Sequence, residues 1–220
     1  MLSHCDTDHV GGAAAVMKAL RVDSQWSSLE PGHALLGQGI PATRCEAGQG
    51  WEWDGVRFEL LQPAPALYER PGVKPNALSC VLRVSGGGRS ALLTGDIERD
   101  GEAAMVAAYG AALSSDLLIV PHHGSKTSSS AAFLDAVQPR IAVMQAGYRN
   151  RYGHPSPAVL ASYRERGIHV MLSASCGAWR WRPGVQSCQR DIARRYWQHV
   201  WHHPDLPQYE GSGLELADPD

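Results

Sequence analysis

The chain has 220 residues, 44% of them hydrophobic and 19% charged, with a formal net charge of −2. That size allows one domain with a sizeable core, and the charge excludes a polycation, so any nucleic-acid contact has to come from a local patch. No run of about 18 apolar residues exists to cross a membrane, no signal peptide is expected ahead of the first motif, and five cysteines without a Cys-x-x-Cys pair argue against a disulfide framework or a cysteine zinc site.

The chain opens on Ser3-His4-Cys5-Asp6-Thr7-Asp8-His9-Val10-Gly11-Gly12. Imidazole nitrogens and carboxylate oxygens are ligands for first-row divalent metals. A loop leaving a strand can point the alternating His4, Asp6 and Asp8, with His9, into one pocket. The bland alternative is an Asp that caps a helix and a solvated His, but four such residues before a Gly pair favour a metal site. Cys5 falls between the ligand positions and is expected to face away as a small apolar residue. Gly11-Gly12 turns the backbone into a helix over Ala13–Leu20, built from strong helix formers. Few residues stand ahead of His4 to hold the loop, so the domain is expected to lack its first strands and to expose a sheet edge.

Residues 21–62 read as short strands and turns. His33, beside Pro31-Gly32, reads as a loop residue. Gln49–Leu61 reads as a hairpin turning at Asp54-Gly55, with Trp51, Trp53 and Phe58 assigned to the core. A proline-rich loop, 63–77, leads to strands over 78–84 and 90–94. The second strand ends in Gly95-Asp96. Asp96 either caps the following helix, 98–113, or serves as a carboxylate that bridges two metals at the end of a strand.

Asp116–Pro121 reads as a buried strand that delivers His122-His123-Gly124-Ser125-Lys126-Thr127. Two His, then Gly and hydroxyls, suit a metal ligand followed by an anion-binding loop. A helix over 131–137 and a strand over 141–144 follow. The loop Gly147–Pro155 carries Arg149 and Arg151 as phosphate contacts, Tyr148 and Tyr152 as stacking or packing residues, and His154. Ser156 caps a helix with Pro157 at its first position and Gly167 past its end. Closing strands are expected over 168–173 and 177–181. From 183 to 220 the chain reads as a helix and a disordered acidic tail.

The opening motif resembles the signature of the metallo-β-lactamase superfamily, with Asp6 in place of its second His. Leu-Leu-Thr-Gly-Asp, Pro-His-His-Gly-Ser-Lys-Thr-Ser-Ser-Ser and Asn-Arg-Tyr-Gly-His-Pro follow in order. Together these resemble the C-terminal hydrolase domain of ComEC-type DNA-internalisation (competence) proteins. The resemblance implies an α/β fold, a metallo-β-lactamase-like α/β/β/α sandwich over 1–182, here N-terminally truncated. It also implies a role in DNA uptake beside a membrane channel region of the same family, attached to the inner membrane.

On this basis the chain is expected to be a metal-dependent nuclease acting on single-stranded DNA or a DNA backbone, without a small-molecule cofactor. His4 and Asp6 are expected to hold one divalent ion. Asp8, His9 and either His122 or His123 are expected to hold another; the resemblance favours His123, since in the resembling enzymes the ligand stands just before a small residue and a hydroxyl. Asp96 would bridge the ions, about 3.5–4 Å apart. Oxygen-rich ligands suit Mn²⁺ or Mg²⁺ beside Zn²⁺. Asp96 and His154 are the expected catalytic groups, and Ser125, Lys126, Arg149 and Arg151 the expected DNA contacts. Two rival expectations are an acyl hydrolase acting on a lactone, lactam or thioester, and a non-catalytic DNA-binding module.

Overall fold

The computed structural model describes residues 1–182 and 185–189. Two short helices, α1 (Thr7–Val10) and α2 (Ala13–Ala19), follow the opening loop. Then come β1 (Gln25–Ser27) and β2 (Ala42–Arg44), and the hairpin of β3 (Gly50–Trp53) and β4 (Val56–Gln62). Asp54 and Gly55 both have positive φ, 50° and 75°, as a tight two-residue hairpin turn requires. Next are β5 (Val81–Gly86), β6 (Arg89–Leu93) and α3 (Arg99–Tyr109). The helix expected to reach residue 113 stops at Gly110, whose φ is +50°, and a 3-10 turn takes over. The remainder is β7 (Leu117–Ile119), α4 (Ala131–Val137), β8 (Ile141–Met144), α5 (Pro157–Glu165), β9 (His169–Leu172), α6 (Ser173–Cys176), β10 (Ala178–Arg182) and β11 (Val185–Gln189).

Seven strands form one sheet in the order β3-β4-β5-β6-β7-β8-β9. The first four pair antiparallel and the last four parallel. Alternation along the strands divides the core between the two faces. Leu118, Val120, Ala142, Met144 and Val170 pack with Met105, Phe133, Val159 and Tyr163 of α3, α4 and α5. Leu117, Ile141, Val143 and Met171 face the β10–β11 hairpin through Trp179, Trp181 and Cys188. Leu60 and Leu82 face β1 through Trp26. α1 and α2 close over Leu2, Leu29 and Leu35. The result is the expected α/β/β/α order, with the parallel strands aiming their carboxyl ends, where ligands gather in such sheets, at one edge.

Three expectations are corrected. Cys45 is bonded to Cys80 and Cys176 to Cys188, leaving Cys5 as the free thiol among the described residues. Local spacing could not show this, because the partners meet only when β2 comes to lie beside the start of β5 and α6 beside β11. Trp51 stacks between Trp26 and Phe58, but Trp53 is 69% exposed, because it lies toward the turn, beyond the cover that Trp26 provides. β11 continues pairing past residue 182; residues 190–220, where most of the helix and the acidic tail were expected, lie outside the described residues. His33 is a local cap, its Nδ1 accepting the Leu35 N–H, and Cys5 packs into the apolar cluster around Leu29.

Candidate metal centre

The loop ahead of His4 is held by backbone pairing. The Leu2 N–H bonds to Trp26 O at 2.8 Å and the Cys80 N–H to Ser3 O at 2.9 Å. The Ser28 hydroxyl adds a second donor to Ser3 O at 2.7 Å. Asp6 occupies the N-cap position of α1 but makes no side-chain capping bond. Its Oδ2 lies instead 3.5 Å from His4 Nε2, so the capping explanation fails. Asp96 is no cap either, since Glu98 holds that position before α3.

Asp96 is buried at the carboxyl end of β6, and four imidazoles surround it. His9 Nε2 is 3.2 Å from Oδ1. His123 Nε2 is 3.5 Å from Oδ2, and His4 Nε2 and His122 Nε2 are each 3.9 Å from it. His123 also reaches Asp8 Oδ2 at 3.1 Å and His9 Nε2 at 3.3 Å. Asp8, His9, Asp96 and His123 thus each offer a ligand atom, all within 4.8 Å of one another.

Two left-handed residues in succession split the His pair, His122 at φ 50° and His123 at φ 55°. Non-glycine residues adopt this region at a cost and need support around them. His123 turns to Asp8 and His9, its Nδ1 held by Gln145 O at 2.7 Å. His122 turns away, its Nδ1 3.5 Å from Glu98 and 3.2 Å from the Thr127 hydroxyl. Gly95, at φ +54°, allows the close approach beneath the site, where a Cβ would stand 2.9–3.0 Å from the side chains of Ser79 and Ser3.

The residues present fit a metal. His4 is buried, its Nδ1 beside Ser3 Oγ at 3.1 Å and Ser79 Oγ at 3.4 Å, while its Nε2 is buried without a hydrogen-bond partner. An orphaned imidazole nitrogen facing two carboxylates suits a cation between them. Burial, with the His9 charge next, pushes the His4 proton affinity down, which leaves it a neutral ligand. Burial would lower His9 too, but the Asp96 hydrogen bond and charge outweigh it and hold His9 above its ordinary value. Burial would raise Asp96, and the His9 bond with the neighbouring His charges brings it below the usual carboxylate range.

His154 stands beside this cluster, its ring 5.9 Å from His122. Burial, then the charges of His122 and His123, lower its proton affinity. Arg149 and Arg151 are exposed and lie over their own neighbours Tyr148 and Tyr152. Lys126 is exposed on the His123 loop. Ser125 is buried, its hydroxyl 3.1 Å from Thr127 Oγ1. It shapes the loop and does not line its surface.

Several supporting residues, Ser3, Ser79 and Asn150 among them, belong to motifs quoted from the sequence but carried no stated role there. Ser3 Oγ meets His9 Nδ1 at 2.9 Å, and Ser79 Oγ accepts the Asp96 N–H at 3.0 Å. Asn150 brackets His154, accepting its N–H at 3.0 Å and donating to its carbonyl at 2.6 Å. Buried Glu102 accepts the N–H groups of Ser129 and Ser130 and so pins the end of the His122–Ser130 loop. An acid three residues before Met105 on the buried stripe of α3 was the available signal.

The family model described as the metallo-β-lactamase superfamily matches residues 1–148. Competence protein ComA of Neisseria gonorrhoeae is 41% identical over 201 residues, 90% of this chain and 27% of that protein. Recombination protein 2 of Haemophilus influenzae is 36% identical over 160 residues, 73% of this chain and 19% of that protein. ComE operon protein 3 of Bacillus subtilis is 31% identical over 192 residues, 83% of this chain and 24% of that protein. The chain spans about a quarter or less of these relatives.

Proposed function

The chain belongs to the metallo-β-lactamase superfamily, and from that membership we propose that it is a metal-dependent phosphodiesterase acting on DNA. The observation that carries this reading is the adjacency of a His/Asp cluster to an exposed basic rim. Asn150 and Tyr152, the neighbours of Arg149 and Arg151, both contact His154, whose ring meets His122. The names of the relatives, competence and recombination proteins, point the same way. By the same resemblance the chain works on single-stranded DNA, next to a membrane channel region and attached to the inner membrane. Among the described residues no helix is long and apolar enough to cross a membrane.

Asp8, His9, His123 and Asp96 would hold one divalent ion, Mn²⁺, Zn²⁺ or Mg²⁺, and His4, Asp6 and Asp96 would hold a second. Bound ions of this kind supply Lewis acidity to a phosphoryl oxygen and lower the pKa of water. Asp96 would serve both positions. Asp8, whose side chain is 63% exposed, faces the substrate side. His154, kept neutral by burial, donates an N–H to a phosphate oxygen. Lys126, Arg149 and Arg151 bind the backbone on either side and fix its register.

The test is cleavage of end-labelled single-stranded DNA by metal-loaded protein. Cleavage is expected with the wild type, and Asp8→Ala combined with His9→Ala should abolish both it and binding of the ion these residues hold. A second reading, acyl hydrolysis, draws on one observation. A cavity of about 540 Å³ adjoins His4, with Cys5, Leu29, Leu36, Val73 and Leu78 in its lining. Lactone hydrolysis without DNA cleavage would decide for that reading.

A further inference from the structure

The basic loop carries an exposed aromatic ring that neither the ion ligands nor the phosphate contacts use. Tyr152 is 66% exposed, whereas Tyr148 on the same loop is half-buried. A phenol ring left in water forgoes the gain of covering its apolar faces, and that gain is open to a flat ligand. The ring is also tied to the site. It lies 5.8 Å from the ring of His154, with 18° between the planes, and the His154 ring lies 5.9 Å from that of His122. His122 Nε2 stands 3.9 Å from Asp96 Oδ2. A run of three rings therefore leads from solvent to the His/Asp cluster.

The loop itself fixes the outermost ring. The Gly153 N–H bonds to Asn150 O at 3.2 Å and closes the turn, and Asn150 brackets His154 through both backbone groups. Arg151 Nη2 donates to the Tyr152 hydroxyl at 2.6 Å. That bond keeps the guanidinium toward the hydroxyl end, its Cζ 4.8 Å from the ring centroid. With His154 and Arg151 both in place, most of Tyr152 still faces solvent. A ring held before its ligand arrives loses little freedom on binding. The exposed Arg149 and Arg151 beside it attract phosphate. The ligand that fits is flat in one part and anionic in the next, which describes a nucleobase and its phosphates.

We propose that Tyr152 is a stacking platform for one base of the DNA strand whose phosphate lies at the His/Asp cluster, and that it selects single-stranded over duplex DNA. This rests on the reading of the chain as a DNA phosphodiesterase and names the residue that chooses the form of the DNA. In a duplex both faces of an internal base are covered by its neighbours, and freeing one costs unstacking and unpairing. A single strand offers its base faces directly. Every base has such a face, so the platform favours single strands without reading sequence. Only two ring contacts separate Tyr152 from His122, so the stacked base belongs to a nucleotide close to the phosphate under attack.

The test is fluorescence anisotropy with two labelled oligonucleotides of equal length, a thymidine strand and a strand of abasic sugar phosphates. A chelator keeps either from being cut. The wild type should bind the thymidine strand more tightly than the abasic one. Tyr152→Ala should weaken thymidine binding about 5–150-fold, the worth of one stacked base, and leave abasic binding unchanged. Unchanged abasic binding also shows that the variant is folded. Tyr152→Phe loses the Arg151 bond but keeps the ring, and should bind the thymidine strand as the wild type does. Equal weakening of both strands in Tyr152→Ala would make the ring a brace for Arg151 or His154 and overturn the proposal. Thymidine binding by Tyr152→Ala at wild-type affinity would overturn it too, while sparing the reading of DNA as the substrate. A wild type that binds neither strand would remove both readings.

Discussion

His9 Nε2 lies 3.2 Å from Asp96 Oδ1, and each group shifts the other's proton affinity in the direction of its charged form. His9 sits above its ordinary 6.5 and Asp96 below its ordinary 3.8. In the metal-free protein this pair stabilises the fold between those ordinary values. Its contribution is lost as pH rises through the raised His9 value, and also as pH falls through the depressed Asp96 value. A metal ligand must be deprotonated, so the proton on His9 competes with the ion. As pH is lowered, metal affinity is therefore expected to start falling already above pH 6.5, by about tenfold per pH unit for one displaced proton. Calorimetric titrations between pH 5.5 and 8 measure this. Flat affinity across the range would contradict the assignment of His9 as a ligand.

Binding to DNA through phosphates releases counterions, so affinity should fall steeply with salt. Replacing Lys126, Arg149 and Arg151 together by Ala should flatten the log–log salt slope by about 2–3 units. Metal content should not change, because none of the three is a ligand. Fluorescence anisotropy on labelled single-stranded DNA at several salt concentrations reads the slope. An unchanged slope would place the DNA path elsewhere on the surface.

Glu102 fixes the loop that carries His123. Removing its carboxylate leaves the buried Ser129 N–H and the partly buried Ser130 N–H without their acceptor. Glu102→Ala should cost about 2–4 kcal/mol in denaturant unfolding. It should also weaken the ion held by His123, since the loop loses its anchor. Glu102→Gln keeps one acceptor and should fall between. Wild-type stability in Glu102→Ala would mean that water replaces the carboxylate.

The Cys45–Cys80 bond closes a separation of 35 residues. Cys80 adjoins Ser79, which accepts the Asp96 N–H, so the bond secures the segment beneath the metal ligands. Cys45→Ser combined with Cys80→Ser should cost about 3–4 kcal/mol, the loop-closure value for that length. Non-reducing peptide mapping establishes the bond, and unfolding midpoints with and without reductant measure its effect. Equal midpoints would mean that the bond is absent in the purified protein.

Much of the chain is readable locally, because turns, caps and strand alternation depend on neighbouring residues. Asp54-Gly55 makes its turn and Ser156 caps α5 by accepting the Val159 N–H. The opening motif names metal-ligand types through their chemistry, and Asp96 follows its strand in plain view. The rest depends on which strands become neighbours. Asp6 and Asp96 could each have been helix caps until the fold turned them toward His4 and His9. The sequence contains His122 and His123 side by side, but only the two left-handed residues at the end of β7 send one to Asp8 and the other to Glu98. Ser125 looks like a surface hydroxyl in sequence and is turned inward by its loop. Cys45 and Cys80 carry no local sign of each other, nor does Glu102 of Ser129, because each pair meets only once the sheet and its helices have packed.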